Sequence, residues 1–217
     1  MTALRLYDYA ASANCFKVRL LLAQLAVPYE RVPVDIFGGD TLTDEFAAKN
    51  PARSTPVLET DDGRYLQESN AILWYLAEGT EFLPDDQLER AHVLKWLILE
   101  QTDVMPGIGG LRFRLLTGRW SPEQPEAKQR RELGLAALAM LETHLAGRTF
   151  FVAEGYTIAD LSLYAYTHTA PEAGFDLGRF PAVTSWLRRV EQQPRFVNDL
   201  LPYPANAGHG AGSSIYG

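Results

Sequence analysis

Apolar and polar positions change period several times along the chain. Leu4 and Leu6 alternate with Arg5 and Tyr7, the period of a pleated strand. From Lys17 the period lengthens, and Val18, Leu20, Leu21, Leu22 and Leu25 form the broad apolar face of a buried helix. That helix ends near Ala26, with Pro28 just beyond as a stop signal. Val32, Val34 and Ile36 alternate again, predicting a second strand over Tyr29 to Ile36. Phe37-Gly38-Gly39-Asp40 reads as a loop. Thr41 or Thr43 then caps a short helix through Lys49, with Phe46 on its buried side and Asn50-Pro51 at its end. Val57 to Thr60 and Arg64 to Gln67 flank Asp61-Asp62-Gly63, the pattern of a β-hairpin. Glu68-Ser69-Asn70 opens a helix over 71–78, with Ile72, Leu73, Tyr75 and Leu76 as its apolar side. The order β-α-β-α-β-β-α predicts a small α/β domain over 1–78, with a right-handed crossover between the first two strands.

Beyond a linker at 79–86, which contains Gly79 and Pro84, the strand period is gone. Residues 88–116 read as helix, interrupted by Pro106, Gly107, Gly109 and Gly110. Such residues cost on the order of 3 and 1 kcal/mol against alanine inside a helix, so a kink or two shorter helices is expected. Residues 126–145 are amphipathic, with Leu135, Leu138, Leu141 and Leu145 on one stripe. Thr157-Ile158-Ala159-Asp160 has the form of a capping box, which gives Asp160 a structural role. The helix that follows, to about Thr169, is apolar nearly all round and therefore central. A last helix spans 181–193, with Val183, Trp186, Leu187 and Val190 facing inward. The second domain, 87–203, is thus all-helical. Residues 204–217, rich in Gly, Ala and Ser, read as a flexible tail.

Composition narrows the chemistry. Of 217 residues, 47% are hydrophobic and 22% charged, enough apolar content for a packed core. A net charge of −7 argues against nucleic acid or an anionic membrane as the main partner. A single cysteine, Cys15, excludes an intramolecular disulfide, a Cys-x-x-Cys pair and a cysteine-rich zinc site. His92, His144, His168 and His209 have no metal-ligand spacing, so no metal is expected. There is no signal-peptide pattern and no apolar run near the ~18 residues that span a membrane. A cytoplasmic protein is expected.

The first strand-to-helix turn concentrates the candidate chemistry: a hydroxyl (Ser12), an amide (Asn14) and the only thiol (Cys15). Free N–H groups and the positive end of the helix meet there, which suits an anion or a thiolate. Ser12 and Asn14 also suit helix capping, and the turn alone leaves both roles open.

With these patterns in place, the chain resembles the soluble glutathione transferase superfamily over nearly its whole length. Four stretches carry the resemblance: 12–19 (SANCFKVR), Asn50-Pro51 with Thr55-Pro56-Val57-Leu58, Glu68-Ser69, and Thr157-Ile158-Ala159-Asp160. The resemblance implies a thioredoxin-like N-terminal domain, an all-α C-terminal domain, glutathione as co-substrate and a homodimer. It implies that Pro56 follows a cis bond and that Thr55 pairs its backbone with the cysteinyl unit of glutathione. Glu68 and Ser69 would receive the γ-glutamyl amine and carboxylate. Arg53 and Ser54 stand where the family often places residues for the glycyl end. Ser54 lacks the usual charge, for which Arg53 or Lys49 would have to compensate.

For the thiol activator, the resemblance puts Ser12 at the position of serine-using classes and Asn14 at the asparagine of a Thr-Pro-Asn pattern. Cys15 falls one residue past the cysteine of beta-like classes, and Tyr7 and Tyr9 fit the spacing less well. A hydroxyl donating to sulfur stabilises a thiolate, so Ser12, assisted by Asn14, is the expected activator. The electrophile pocket is expected from Met105, Arg112, Phe113 and Tyr166, with Tyr7 a further candidate. The expected function is a glutathione transferase acting on a small hydrophobic electrophile. Glutathione-dependent disulfide or peroxide reduction, and a non-catalytic binding module of the same fold, are the alternatives.

Overall fold

A computed structural model describes residues 4–152 and 155–216. They form two compact units, Met1–Leu76 with Val197–Gly217, and Ala77–Phe196. The first is thioredoxin-like and mixed α/β; the second is helical.

In the first unit the chain runs β1 (Leu4–Asp8), α1 (Ala13–Gln24), β2 (Tyr29–Pro33), α2 (Asp44–Lys49), β3 (Val57–Glu59), β4 (Tyr65–Gln67) and α3 (Ser69–Ala77). The sheet order is β2-β1-β3-β4, with β1 and β2 parallel and the remaining pairs antiparallel. Alternate strand positions and the apolar faces of α1 and α3 meet in one core of Leu6, Val18, Leu22, Leu58 and Ile72. Each such side chain contributes roughly 1.5–3 kcal/mol by leaving water. β2 stops at Pro33, short of the expected Ile36. Val34 still donates its N–H to Asp8 O (2.9 Å). The Asp35 carboxylate then accepts from Phe37 N (3.1 Å) and Gly38 N (2.8 Å) and turns the chain away.

Residues 197–216 return to this unit, where the sequence suggested a flexible tail from 204 and a helical domain reaching 203. Leu201 N donates to Ala10 O (3.2 Å) and Ser213 N to Phe37 O (2.8 Å). The return is anchored by charge. Arg19 is buried in α1 and donates through Nε to both oxygens of Asp199 at 2.9 Å. It also pairs with buried Asp8, which in turn holds Arg31. Burial opposes the Arg19 cation, and the two carboxylates more than offset it.

The helical unit contains α4 (Gln87–Leu99), a wide-turned π-helical stretch (Glu100–Gly109), α5 (Gly110–Leu116), α6 (Pro125–Leu145), α7 (Ile158–Thr167) and α8 (Pro181–Glu191). The expected break at Pro106 is a change of winding in a continuous helical run. Proline lacks an N–H, and the widened turns accommodate it. The glycines there serve close packing. A Cβ on Gly107 would lie 2.6 Å from Gly134 N, and one on Gly109 would lie 2.2 Å from the Tyr166 ring. All ten residues of α7 are buried, and its capping box is formed. Asp160 accepts from Thr157 N (3.0 Å), Phe151 N (3.1 Å) and Trp186 Nε1 (2.9 Å), which ties α7 to α8.

Candidate functional site

The turn after β1 places Ser12 as the N-cap of α1, with extended backbone (φ −84°, ψ 121°). Its Oγ accepts from Cys15 N at 3.3 Å. Capping occupies a lone pair of the oxygen and does not use the hydroxyl proton. No acidic residue occupies the first turn of α1, so nothing there neutralises the positive helix end.

Asn14 is tied to two other residues. Its Oδ1 accepts from Lys17 Nζ (3.0 Å) and from Ser69 Oγ (3.1 Å). Lys17 Nζ also approaches Ser69 Oγ at 3.4 Å. Lys17 and Ser69 are buried, and Asn14 is half-buried. A buried ammonium therefore links the starts of α1 and α3. It also fixes the Asn14 amide, because the oxygen must face the cation and the NH₂ turns to the other side. Two helix N-termini and one buried cation thus meet in one place, an arrangement whose positive potential suits an anion. Lys17 was not singled out from the sequence. Its local signal is a cationic residue three places after Asn14, which it shares with Arg19 on a helix otherwise mostly apolar.

Ser69 starts α3. Its hydroxyl donates inward to Asn14, so the first-turn N–H groups of α3, which have no intrahelical acceptor, are what this end offers a ligand. Glu68, just before it, is exposed and holds φ +68°, a left-handed conformation that non-glycine residues rarely adopt. Such strain concentrates at functional sites. Arg53 likewise has φ +53°. Between them the Thr55–Pro56 peptide is cis.

The residues expected at the glycyl end hold local structure together. Arg53 Nη1 donates to Thr41 O (3.1 Å) and Thr43 O (3.0 Å). Asn50 Nδ2 donates to Ser54 O (2.8 Å) and approaches Ser54 Oγ at 3.2 Å. Lys49 pairs with Glu45 at 2.9 Å.

Cys15 is fully buried, with Tyr9 N donating to its Sγ at 3.4 Å. Burial, with the Asp8 charge behind it, pushes the thiol up to about 11, against hydrogen bonds from Thr55, Tyr9 and Ser12. Cys15 is therefore a thiol at neutral pH and a poor nucleophile. Tyr7 is also engaged elsewhere. Its hydroxyl donates to Glu59 Oε2 (2.8 Å) and accepts from Arg5 Nη1 (3.2 Å). Burial, then Glu59, raises its pKa.

Beside the Ser12 turn, a groove of about 750 Å³ is lined by Tyr9, Ala10, Ala11, Asp35, Leu201 and Asn206, among others. The Tyr9 hydroxyl is buried and has no hydrogen-bond partner among the described residues.

The other expected pocket residues lie in the helical unit. Arg112 is buried and bound to Glu172 Oε2 through Nε (3.0 Å) and Nη2 (2.9 Å). Phe113 is half-buried, with the Arg119 guanidinium 4.8 Å from its ring centroid. Met105 is half-buried in the π-helical stretch, and Tyr166 on α7 is buried against Gly109. No cluster of His, Cys, Asp and Glu among the described residues could hold a metal ion. No described helix is long and apolar enough to cross a membrane.

Comparison with known proteins agrees with this architecture. Residues 6–81 match the family model for the glutathione S-transferase N-terminal domain, and residues 94–194 that for the C-terminal domain. The crystal structure of a glutathione S-transferase from Pseudomonas fluorescens is 44% identical. It covers 92% of this chain and 100% of that one, with a TM-score of 0.88. A glutathione transferase family member from the same organism, solved with two glutathione bound, is 25% identical. That match covers 91% of this chain and 92% of that one, with a TM-score of 0.80. Elongation factor 1-gamma of Mus musculus is 32% identical over 205 residues, 90% of this chain and 46% of that protein. The chain spans less than half the length of the elongation factor 1-gamma proteins it matches.

Proposed function

Because the chain belongs to the glutathione S-transferase family, we propose that it binds glutathione on the α/β unit and activates the glutathione thiol as a thiolate. The observation that carries this reading is the Asn14–Lys17–Ser69 cluster, which joins two helix N-termini over one buried cation. The γ-glutamyl carboxylate binds at the start of α3, and Glu68 accepts from the γ-glutamyl amine. Thr55, before the cis bond, pairs with the cysteinyl backbone. The sulfur then lies over the start of α1, where the Ser12 hydroxyl and the outward Asn14 NH₂ donate to it. A cysteine-like thiol has a pKa of about 8.5, and two donors at a helix N-terminus lower it. The thiolate attacks an electrophilic carbon and displaces its leaving group or adds to it; the thiol proton goes to solvent. The relative solved with glutathione bound supports the choice of co-substrate.

The fixed Asn14 amide favours a second reaction on the same site. The thiolate attacks a disulfide sulfur, forms a mixed disulfide and releases the other half as a thiolate. The likeness to elongation factor 1-gamma proteins favours a further reading, a glutathione-transferase-like module in a larger assembly.

Calorimetric titration with glutathione, followed by parallel assays with an aryl halide and a small dialkyl disulfide, separates the three. Turnover of the halide supports the transferase, turnover of the disulfide alone the reductase, and absence of binding the module. Ser12→Ala and Asn14→Ala should each slow turnover by about 10- to 100-fold, the loss of one hydrogen bond to a charged atom.

A further inference from the structure

The C-terminal parts of α4 and α6 leave a groove of about 750 Å³ between them, lined only by residues of the helical unit. That volume is in the range of small-molecule sites, about 300–1,000 Å³. Its apolar lining includes Trp96 and Leu99 of α4 and Ala139 and Met140 of α6. Its charged lining is basic: Lys95, His144 and Arg148 contribute to it, and no lining residue is acidic. The chain carries a net charge of −7, so a groove of positive sign stands against its background.

The groups around this groove have unused capacity. Trp96 is 2% exposed, and its Nε1 donor is buried with no hydrogen-bond partner among the described residues. Leaving a buried donor unpaired is costly, so such a group marks a place where an acceptor is expected. The Lys95 ammonium stands 4.4 Å from the centroid of the same indole ring. The His144 ring lies 4.6 Å from that of Trp96. His144 Nε2 donates to Phe151 O at 2.9 Å, which fixes the ring and puts its proton on Nε2. Burial holds the imidazole below its usual pKa, and the charged groups that add to this, Arg148, Lys95 and His92, are all basic. Neither Lys95 nor Arg148 forms an ion pair with a described residue. Glu142, two places before His144, is turned to α8, where it accepts from Ala182 N (3.0 Å) and Val183 N (2.9 Å).

We propose that this groove binds a small organic carboxylate, its charge answered by Lys95 and Arg148 and its apolar body covering Trp96, Leu99 and Met140. An inorganic anion would leave the apolar lining unused. A neutral apolar molecule would leave two cations and the indole donor unanswered. A carboxylate on an apolar body meets both demands, and its oxygens supply the acceptor that Trp96 Nε1 lacks. The site does not depend on the glutathione reading.

Calorimetric titration of naphthoate into the full chain tests this, beside its neutral analogue naphthalenemethanol and inorganic phosphate. Naphthoate should bind, and the other two should each bind at least about 10-fold more weakly, since each lacks one half of the match. Lys95→Met and Arg148→Met should each weaken naphthoate about 5-fold, the worth of a partly exposed charged contact. Trp96→Phe keeps an aromatic ring without the N–H and should cost a similar factor. Ala139→Trp should abolish binding by filling the groove. Lys95, Ala139 and Arg148 are exposed, so these three variants should keep the wild-type melting temperature. The proposal is overturned if the wild-type chain does not bind naphthoate, or binds naphthalenemethanol or phosphate as tightly. It is equally overturned if Lys95→Met, Arg148→Met and Ala139→Trp all bind naphthoate within about twofold of wild type, which would place the carboxylate elsewhere on the chain.

Discussion

In the helical unit, the buried Asp160 carboxylate receives donors from Thr157, Phe151 and Trp186, and burial still lifts its pKa to about 6. Arg112 is closed off by Glu172 in the same way. In the α/β unit, buried Lys17 holds Asn14 and Ser69 so that each helix end keeps donors facing outward. Both units bury charge, with different results. In the helical unit these polar groups are consumed by packing, and they fix how α7 meets α8. In the α/β unit Arg19 is consumed in the same way by Asp8 and Asp199, whereas buried Lys17 orients groups that keep hydrogen-bonding capacity, which the proposed reading directs at glutathione. Two of the left-handed non-glycine residues, Arg53 and Glu68, flank the cis peptide bond, although Ala26 and, in the helical unit, Arg195 share that conformation. A perturbed or buried charged residue therefore marks a functional site only where its partners keep something to offer.

Substitutions can break this comparison. The largest effect expected is on stability, from Asp160→Ala. Losing a buried acceptor with several donors should cost about 3–5 kcal/mol, read as a large fall in melting temperature. Glutathione affinity measured on the folded protein should not change. A variant that stays stable and binds less glutathione would place Asp160 with the ligand-facing groups. Lys17→Met is expected to do the reverse. Its apolar chain fills the same space, and replacing a buried charge with a well-packed apolar group is often nearly neutral for folding. Glutathione affinity should fall by about 10- to 100-fold, because the cation that fixes the Asn14 amide and favours the ligand anion is gone. A large loss of stability with unchanged affinity would make Lys17 a packing residue like Asp160. The smallest effect belongs to Tyr7→Phe. Arg5 still satisfies Glu59 after the hydroxyl is removed. Turnover should stay within about twofold of wild type. A drop comparable to that of Ser12→Ala would return Tyr7 to the list of thiol activators.

What could be read from the sequence follows from how local each feature is. The capping box at Thr157 and Asp160 is a four-residue motif, and it forms as expected. The hairpin around Asp61-Asp62-Gly63 and the order of elements in the α/β unit depend on short-range period and turn chemistry, and they appear in place. The cis bond before Pro56 was implied by resemblance, and it is present. Features set by distant partners were not readable. Arg19 meets Asp199 across 180 positions, and nothing local to 197–216 announces that anchor. Glycines in that segment read as flexibility, although Gly212 is there because no side chain fits. The same misreading applies to Gly107 and Gly109, where close packing looks like helix breaking from the sequence alone. Lys17 was not singled out from the sequence, because its partner Ser69 lies 52 positions away on α3. The turn itself was legible as a choice between capping and thiolate stabilisation. The geometry of Ser12 shows the capping half of that choice, since its Oγ accepts from Cys15 N, and capping itself does not use the hydroxyl proton.

The central claim is that the ends of α1 and α3 bind glutathione and make its thiol acidic. Titrating the ultraviolet absorbance of the thiolate in the protein–glutathione complex tests it directly. The bound thiol should ionise at least about one unit below the cysteine-like value of about 8.5, and Ser12→Ala and Asn14→Ala should each move it back toward that value. A bound thiol that titrates as it does in free glutathione, or is unmoved by both substitutions, would contradict the account.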